Sequence, residues 1–94
     1  MSLVSVHAPR AQVDLYLNSS HAVVWVKNLA PLSENQVYEG WWIIKGRPEP
    51  AGTFGRGATL LTYPRNATAF AITKEPRGGT KRPTTPILVL GTLQ

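Results

Sequence analysis

The sequence of 94 residues contains no cysteine. This absence excludes a disulfide framework, a thiolate metal site and a cysteine nucleophile. Carboxylates are scarce as well: five stand against ten lysines and arginines, which gives a net charge of +5. The two histidines, His7 and His21, have no partner at a metal-binding spacing. We interpret both as ordinary surface side chains and predict no metal site.

Long apolar runs are also missing. No stretch of about 18 apolar residues is present, so no segment has the pattern of a transmembrane helix, and no secretory signal peptide is recognisable. The carboxylates are far apart in sequence, and no Gly-x-Ser-x-Gly elbow occurs. We therefore predict a protein that is not an enzyme, with no catalytic residues and no cofactor.

Short apolar runs separated by turn residues recur along the whole chain. Ala11 to Asn18 alternates between apolar and polar residues, which is typical of a half-buried strand, and Ala22 to Val26 is almost wholly apolar. Further short strands are expected at 37–45, 51–54, 58–63, 67–74 and 87–90. No segment repeats apolar residues at helical spacing. The sequence predicts an all-β antiparallel sandwich of immunoglobulin-like architecture, with about six to eight short strands and little or no helix.

The expected domain organisation is a tail followed by one domain. Residues 1–10 lack periodicity and contain Pro9, so we interpret them as an added start, Met1 to Leu3, followed by a stalk-like tail. Residues 11–94 form the single β-sandwich domain. Its core is expected to contain Val13, Leu15, Val24, Val26, Trp41, Ile43, Phe70, Ile72, Leu88 and Leu90. Of the adjacent Trp41 and Trp42, the alternation of faces predicts one in the core and the other at a rim.

The stretch from Glu75 to Pro86 carries a resemblance to a known family. It reads Glu-Pro-Arg-Gly-Gly-Thr, two further residues, Pro-Thr-Thr-Pro, and it precedes an apolar strand. This order resembles the closing signature of the anti-sigma-K factor (RskA-like) C-terminal domain, with Thr85 in place of a glycine. A carboxylate beside consecutive amides is a good local acceptor. We therefore predict that Glu75 accepts backbone hydrogen bonds within the loop, and that Gly78 or Gly79 has a positive φ.

Three upstream blocks extend the resemblance over roughly residues 11 to 91. The turn at 29–32 is similar to the family's Leu-Pro-Pro-Leu, with Ala30 replacing one proline, and the strand at 38–43 is similar to its Tyr-x-x-Trp-x-Ile. The resemblance implies that Trp41 is the core tryptophan, together with Ile43, and that Trp42 lies at the rim. Ala51 to Phe54 is similar to its Ala-Gly-x-Phe step. The resemblance implies that the motif residues are structural or face a partner: Leu29, Pro31, Leu32, Tyr38, Trp41, Gly52, Phe54, Glu75, Pro76, Gly78, Gly79, Thr80, Pro83, Thr84 and Pro86.

The resemblance also implies a function. RskA-like proteins are single-pass regulators of the bacterial cell membrane, in which a cytoplasmic zinc-type module sequesters an extracytoplasmic-function sigma factor. Regulated proteolysis by a membrane protease releases that factor. This chain would be the extracytoplasmic sensory domain, responding to a protein or cell-envelope signal. It lacks the module's His-x-x-x-Cys-x-x-Cys motif and a membrane helix, so it is not expected to bind sigma factor itself.

Two alternatives stay open beside this interpretation. One is an extracellular polymer- or protein-binding β-module of a cell-surface protein. The other is a nucleic-acid-binding barrel, which only the positive charge favours, and no nucleic acid is expected as a partner. The basic loop at 77–82 is interpreted mainly as a structural turn, with contact to an anion as the alternative.

Overall fold

The computed structural model describes residues 2–5, 11–55 and 57–93, and these form eight β-strands and no helix. The strands are β1 (Ser2–Ser5), β2 (Val13–Leu17), β3 (His21–Val26), β4 (Gln36–Ile44), β5 (Arg47–Phe54), β6 (Gly57–Thr62), β7 (Ala69–Pro76) and β8 (Val89–Thr92). The predicted all-β fold is thereby confirmed.

The strands form two antiparallel layers. One layer has the order β2-β3-β6 and the other has the order β5-β4-β7-β8. The connections from β3 to β4, from β5 to β6 and from β6 to β7 cross between the layers. This order corresponds to strands A, B and E facing strands C′, C, F and G of an immunoglobulin-like sandwich. The predicted sandwich is confirmed, and the strand order agrees with the predicted immunoglobulin-like architecture.

Strand β1 joins the two layers along one side. Ser2 is opposite Asp14 of β2, while Val4 is opposite Leu90 of β8. The expected tail at residues 1–10 is therefore wrong for Ser2–Ser5, and residues 1 and 6–10 lie outside the described residues. Four residues are too few for an alternating pattern to show, and backbone pairing on both sides sets this strand.

The core lies between the inner faces of the two layers. Seven of the ten predicted core residues are fully buried: Val13, Leu15, Val24, Val26, Trp41, Phe70 and Ile72. Leu88 packs against the core, whereas Ile43 and Leu90 are half-buried and lie outside it. Trp42, expected at a rim, is in the core with its ring centroid 4.7 Å from that of Phe70. The predicted assignment of the two tryptophans is therefore wrong, because Trp42 and not Trp41 joins the core between the layers.

The free edge of β5 is protected by prolines. The sequence suggests a turn over residues 45–50, but the structure confines the turn to Lys45 and Gly46, with φ of 52° and 76°. Such a two-residue turn matches the twist of a β-hairpin. Pro48 and Pro50 lie within β5, which pairs with β4 alone among the described strands. A proline has no N–H to offer a further strand, so it is tolerated at an edge and discourages edge-to-edge pairing.

Candidate functional site: a loop held by two buried carboxylates

The segment between β7 and β8, residues 77–88, folds against the outer face of the β5-β4-β7-β8 layer, and we call it the closing loop. It begins with a tight turn in which the Gly79 N–H donates to the Pro76 carbonyl at 2.9 Å. Gly78 and Gly79 have φ of 92° and 79°, a region that residues with a Cβ rarely adopt. The predicted positive φ is confirmed, and it explains the two consecutive glycines.

Glu75 is the first anchor of the closing loop. Its side chain is 1% exposed and accepts the Thr84 N–H at 3.0 Å, the Thr84 hydroxyl, and the Thr73 hydroxyl at 2.5 Å. Burial by itself raises the pKa of Glu75, but the hydrogen bonds from Thr73 and Thr84 outweigh it and lower the pKa below its ordinary value. The predicted bonding of Glu75 within the loop is confirmed for one backbone N–H group, that of Thr84, and the remaining donors are hydroxyls.

Glu39 of β4 is a second anchor, which the sequence analysis does not single out. It is 3% exposed, and its Oε1 accepts the Thr80 N–H at 2.8 Å. Gly79 comes so close that a Cβ there would lie 3.2 Å from the same oxygen. The Thr80 hydroxyl donates to the Arg82 carbonyl at 2.7 Å, which orders the next turn. The loop is thus fastened at two points by carboxylates on neighbouring strands.

Trp41 lies beneath the closing loop rather than between the layers. Successive side chains of a strand point to opposite faces, and Trp42 is the one that joins the core. Trp41 is nevertheless 0% exposed, and its indole N–H donates to the Thr73 hydroxyl oxygen at 2.8 Å. Thr73 in turn donates to Glu75. A chain of hydrogen bonds therefore runs from the indole through Thr73 to the first anchor and on to Thr84.

The three upstream motif blocks converge on a different place, an open groove of about 290 Å³. Its lining residues are Ala30, Pro31, Leu32, Gln36, Val37, Tyr38, Thr53, Phe54 and Gly55. The Tyr38 hydroxyl donates to the Ala30 carbonyl and so ties the turn to β4. Leu29 is buried in the core below this turn. The groove is mostly apolar, and blocks that are separate in sequence build it together.

The remaining motif residues are found at a bulge and along the closing loop, where they affect the conformation of the backbone. Gly52 has φ of 144° beside a bulge in the pairing of β4 with β5, where a side chain is strained. Pro76 ends β7, and Pro83 and Pro86 lie in the closing loop. All three are exposed or half-buried. The Thr85 hydroxyl donates to the Lys74 carbonyl at 2.7 Å. The residue that replaces the family's glycine therefore adds a further link between the closing loop and β7.

Within residues 2–5, 11–55 and 57–93, no three side chains among His, Asp and Glu gather as metal ligands. His21 is the first residue of β3, with its Nδ1 2.8 Å from the Ser20 hydroxyl, and His7 lies outside the described residues. No buried side-chain oxygen or nitrogen in this part of the chain lacks a partner. The arrangement can hold a loop in place, and its buried polar groups are occupied in doing so.

The fold and this site define the class of the protein as a small immunoglobulin-like β-sandwich domain with a fastened loop. The profile of the family described as anti-sigma-K factor rskA, C-terminal, matches residues 3–87. Since the match spans most of the chain, the chain belongs to this family of RskA-like anti-sigma factor C-terminal domains. Searches of the curated proteins and of the solved structures gave no significant match.

Family membership gives the coarse role. Anti-sigma factors are regulators rather than enzymes, their partner is a sigma factor, and they are typically associated with membranes. Among the described residues, no helix has the length and apolar character needed to span a membrane.

Proposed function

We propose that this chain is the extracytoplasmic sensory domain of a single-pass, membrane-anchored anti-sigma factor, and that it acts without catalysis. The observation that carries the proposal is the family match over residues 3–87. In this proposal a separate cytoplasmic module binds the sigma factor. A membrane protease cuts the anchor when a protein or cell-envelope signal reaches the outer domain, and the sigma factor is released.

The geometry of the buried residues under the closing loop supports a structural role without catalysis. Glu39, Trp41 and Glu75 are buried and direct their polar atoms at the closing loop or at Thr73. Such an arrangement maintains a defined surface and leaves these groups unavailable to a substrate. A domain that covers or exposes a neighbouring segment needs shape and stability more than reactive side chains.

Strand β1 suggests how such a domain controls cleavage. Val4 and Ser5, expected as part of the stalk, pair with Leu90 and Val89 of β8. Proteases cut segments that are extended and free of pairing, and a paired strand must open before it is cleaved. We propose that a signal which loosens β1 from β8 exposes the chain around it, whereas the closed sandwich protects it.

The test uses the full-length protein in its own host. Residues 11–91 are deleted, all preceding sequence is kept, and transcription from the cognate sigma-dependent promoter is measured with and without the inducing signal. We expect the deletion to abolish the difference between the two conditions. A point variant that loosens the closing loop, Glu75→Ala, is compared with Glu49→Ala at an exposed position. A signal response that persists after the deletion would refute the sensory role.

A second candidate function is an extracellular polymer- or protein-binding module. The observation that favours it is the uncovered face of the β2-β3-β6 layer, where Tyr16, Trp25 and Leu60 are 56%, 45% and 66% exposed. Exposed aromatic rings on a flat sheet can stack on sugar rings or on a partner's side chains. Cosedimentation with isolated cell-wall polymer that is lost in Trp25→Ser, together with an unchanged promoter response, would favour this second function.

A further inference from the structure

A wide basic recess lies where the closing loop meets the edge strand β5. Its volume is about 720 Å³, and it is open to solvent. The lining residues are Arg47, Pro48 and Glu49 from β5, and Lys81, Arg82 and Pro83 from the closing loop. Three cations from two distant parts of the sequence therefore face one space, although the basic residues look scattered along the chain.

The backbone under these cations is held in place on both sides. Lys81 and Arg82 lie between Thr80, whose N–H is bound by Glu39, and Thr84, whose N–H is bound by Glu75. The Arg82 carbonyl accepts the Thr80 hydroxyl. Arg47 follows the tight β4–β5 turn. Cations on a fixed backbone lose less conformational freedom on binding than cations on a mobile tail.

The cations of the recess form no ion pair with any described residue. In the described part of the chain, the ion pair that forms joins Lys27 to Asp14 at 3.7 Å on the other layer. Glu49 lines the recess, but it forms no ion pair with Arg47, Lys81 or Arg82. The two buried carboxylates accept their hydrogen bonds from threonines and backbone. The recess thus carries three cations against one carboxylate, which leaves a net positive charge facing solvent.

We infer that Arg47, Lys81 and Arg82 form a binding site for phosphate groups, and that these are the headgroups of anionic phospholipid at a membrane surface. Arginine suits phosphate because its guanidinium can donate two parallel hydrogen bonds. The open recess fits a surface of many headgroups better than one enclosed ligand. The choice of a lipid source rests on the proposed membrane-anchored role, which would place the domain beside such a surface.

Nucleic acid is the other source of phosphate, and the residues around the recess disfavour it. Single-stranded nucleic acid is bound by a basic groove combined with aromatic rings on which bases stack. The recess is lined by no aromatic residue. The exposed rings Tyr16 and Trp25 lie on the other layer, β2-β3-β6. Duplex DNA is bound by a longer row of cations than the three found in this recess.

The experiment measures flotation of the 94-residue chain with vesicles of phosphatidylcholine alone, or of phosphatidylcholine mixed with phosphatidylglycerol. We expect binding only to the anionic vesicles, and release when salt rises from about 0.05 M to about 0.5 M. One well-placed cation near such a surface corresponds to about fivefold in affinity. Arg82→Glu should therefore weaken binding at least about fivefold, and Lys81→Glu with Arg82→Glu should abolish it.

Matched controls separate this site from net charge. Arg65→Glu changes the charge as Arg82→Glu does, at an exposed turn outside the recess, and Arg65→Glu with Arg77→Glu, at two exposed positions outside the recess lining, matches the double variant. These controls should retain most of the binding. Equal losses in recess and control variants, or no binding by the unaltered chain, would overturn the inference. So would recess-dependent binding to duplex DNA without binding to vesicles.

Two further measurements separate a loss of binding from a loss of folding and from a failure of the proposed regulation. Thermal unfolding of each variant shows whether it is folded, which we expect because Lys81 and Arg82 are exposed. The promoter assay of the full-length protein is read separately. No vesicle binding by the unaltered chain, together with a signal response that deletion of residues 11–91 abolishes, would overturn the lipid site alone. Recess-dependent vesicle binding, together with a signal response that persists after that deletion, would overturn the proposed regulation alone.

Discussion

The outer faces of the two layers carry one tryptophan each, and the two have opposite environments. Trp41 of β4 is 0% exposed, whereas Trp25 of β3 is 45% exposed. Both lie within strands of alternating faces, and neither points into the core between the layers. The difference is the closing loop, which covers one face and has no counterpart among the described residues on the other. What crosses a sheet therefore decides whether its outer tryptophan is buried.

The covered face differs from the core in how it is held together. The core joins apolar side chains, whereas the face under the closing loop combines Trp41 with Glu39, Thr73 and Glu75. The closing loop itself is rich in glycine, proline and polar residues, so it buries little apolar area. Hydrogen bonds to ionised acceptors, which are stronger than neutral ones, substitute for hydrophobic contact there.

The largest expected effect comes from truncating the two outer tryptophans. Trp41→Ala should destabilise the domain by about 3–5 kcal/mol, because it leaves a cavity below the closing loop and removes a partner of Thr73. Trp25→Ala should cost less than about 1 kcal/mol, because much of its ring already contacts water. Urea unfolding of both variants measures the difference. Similar losses in the two variants would mean that the loop does not separate the two faces.

The next largest effect concerns the first anchor. Glu75→Ala should cost about 3 kcal/mol, because it leaves the Thr84 N–H and two hydroxyls without their acceptor in a buried place. Glu49→Ala removes the same group at an exposed position and should change the unfolding free energy by less than about 0.5 kcal/mol. Chemical denaturation of the pair gives both values. A Glu75 variant as stable as the Glu49 variant would show that the closing loop does not need this anchor.

The same anchor predicts a dependence on pH. The pKa of Glu75 is lower in the folded chain than in the unfolded chain, so its stabilisation is complete above the ordinary glutamate value of about 4.3. It is lost as the pH falls through the folded-state pKa. Urea midpoints over a pH series should fall in acid for the unaltered chain, and less steeply for Glu75→Gln. Parallel curves would argue against an ionised anchor.

A smaller effect distinguishes the two glycines of the turn. Gly78→Ala and Gly79→Ala both place a Cβ at positive φ, which costs about 1 kcal/mol. At Gly78 that Cβ meets nothing within 4 Å, whereas at Gly79 it lies 3.0 Å from Thr53 and 3.2 Å from Glu39. We expect Gly79→Ala to cost about 2 kcal/mol in total, since it also pushes the second anchor away. Equal costs from thermal unfolding would mean that the loop is not seated on Glu39.

The smallest effect is expected on the uncovered face. Tyr16→Ser and Leu60→Ser should each change the unfolding free energy by less than about 0.5 kcal/mol, because both side chains are more than half exposed. Their removal should reduce self-association at high concentration, since it shrinks an exposed apolar patch. Calorimetry and light scattering check the two parts. A large loss of stability would reveal that this face is covered in solution.

The sequence predicts most of the strands because the residue pattern that identifies each strand is local. Alternation over residues 13–17 and the apolar run at 22–26 each identify a strand without reference to the rest of the chain. The anchor at Glu75 is predictable for a similar reason, since its acceptor atoms and the loop amides are only nine residues apart. The glycine pair beside it indicates the turn directly.

The features that the sequence does not predict depend on contacts between residues that are distant in sequence. Glu39 binds Thr80, 41 positions away, and no local pattern separates it from an ordinary polar strand residue. The choice between Trp41 and Trp42 depends on which face the closing loop crosses, and that is set by the tertiary fold. Strand β1 is short and is fixed by two partners, β2 and β8, that lie far along the chain. The basic recess likewise brings Arg47 together with Lys81, which lies 34 positions further along the chain.

Amide hydrogen exchange in the closing loop tests the central claim most directly. If Glu39 and Glu75 fasten the loop, the Thr80 and Thr84 N–H groups should exchange slowly, as amides of the sheet do, although neither lies in a strand. Glu75→Gln should accelerate exchange at Thr84 more than at Thr80, and Glu39→Gln should do the reverse. Exchange of both amides in the unaltered chain at the rate of an unstructured segment would contradict the account.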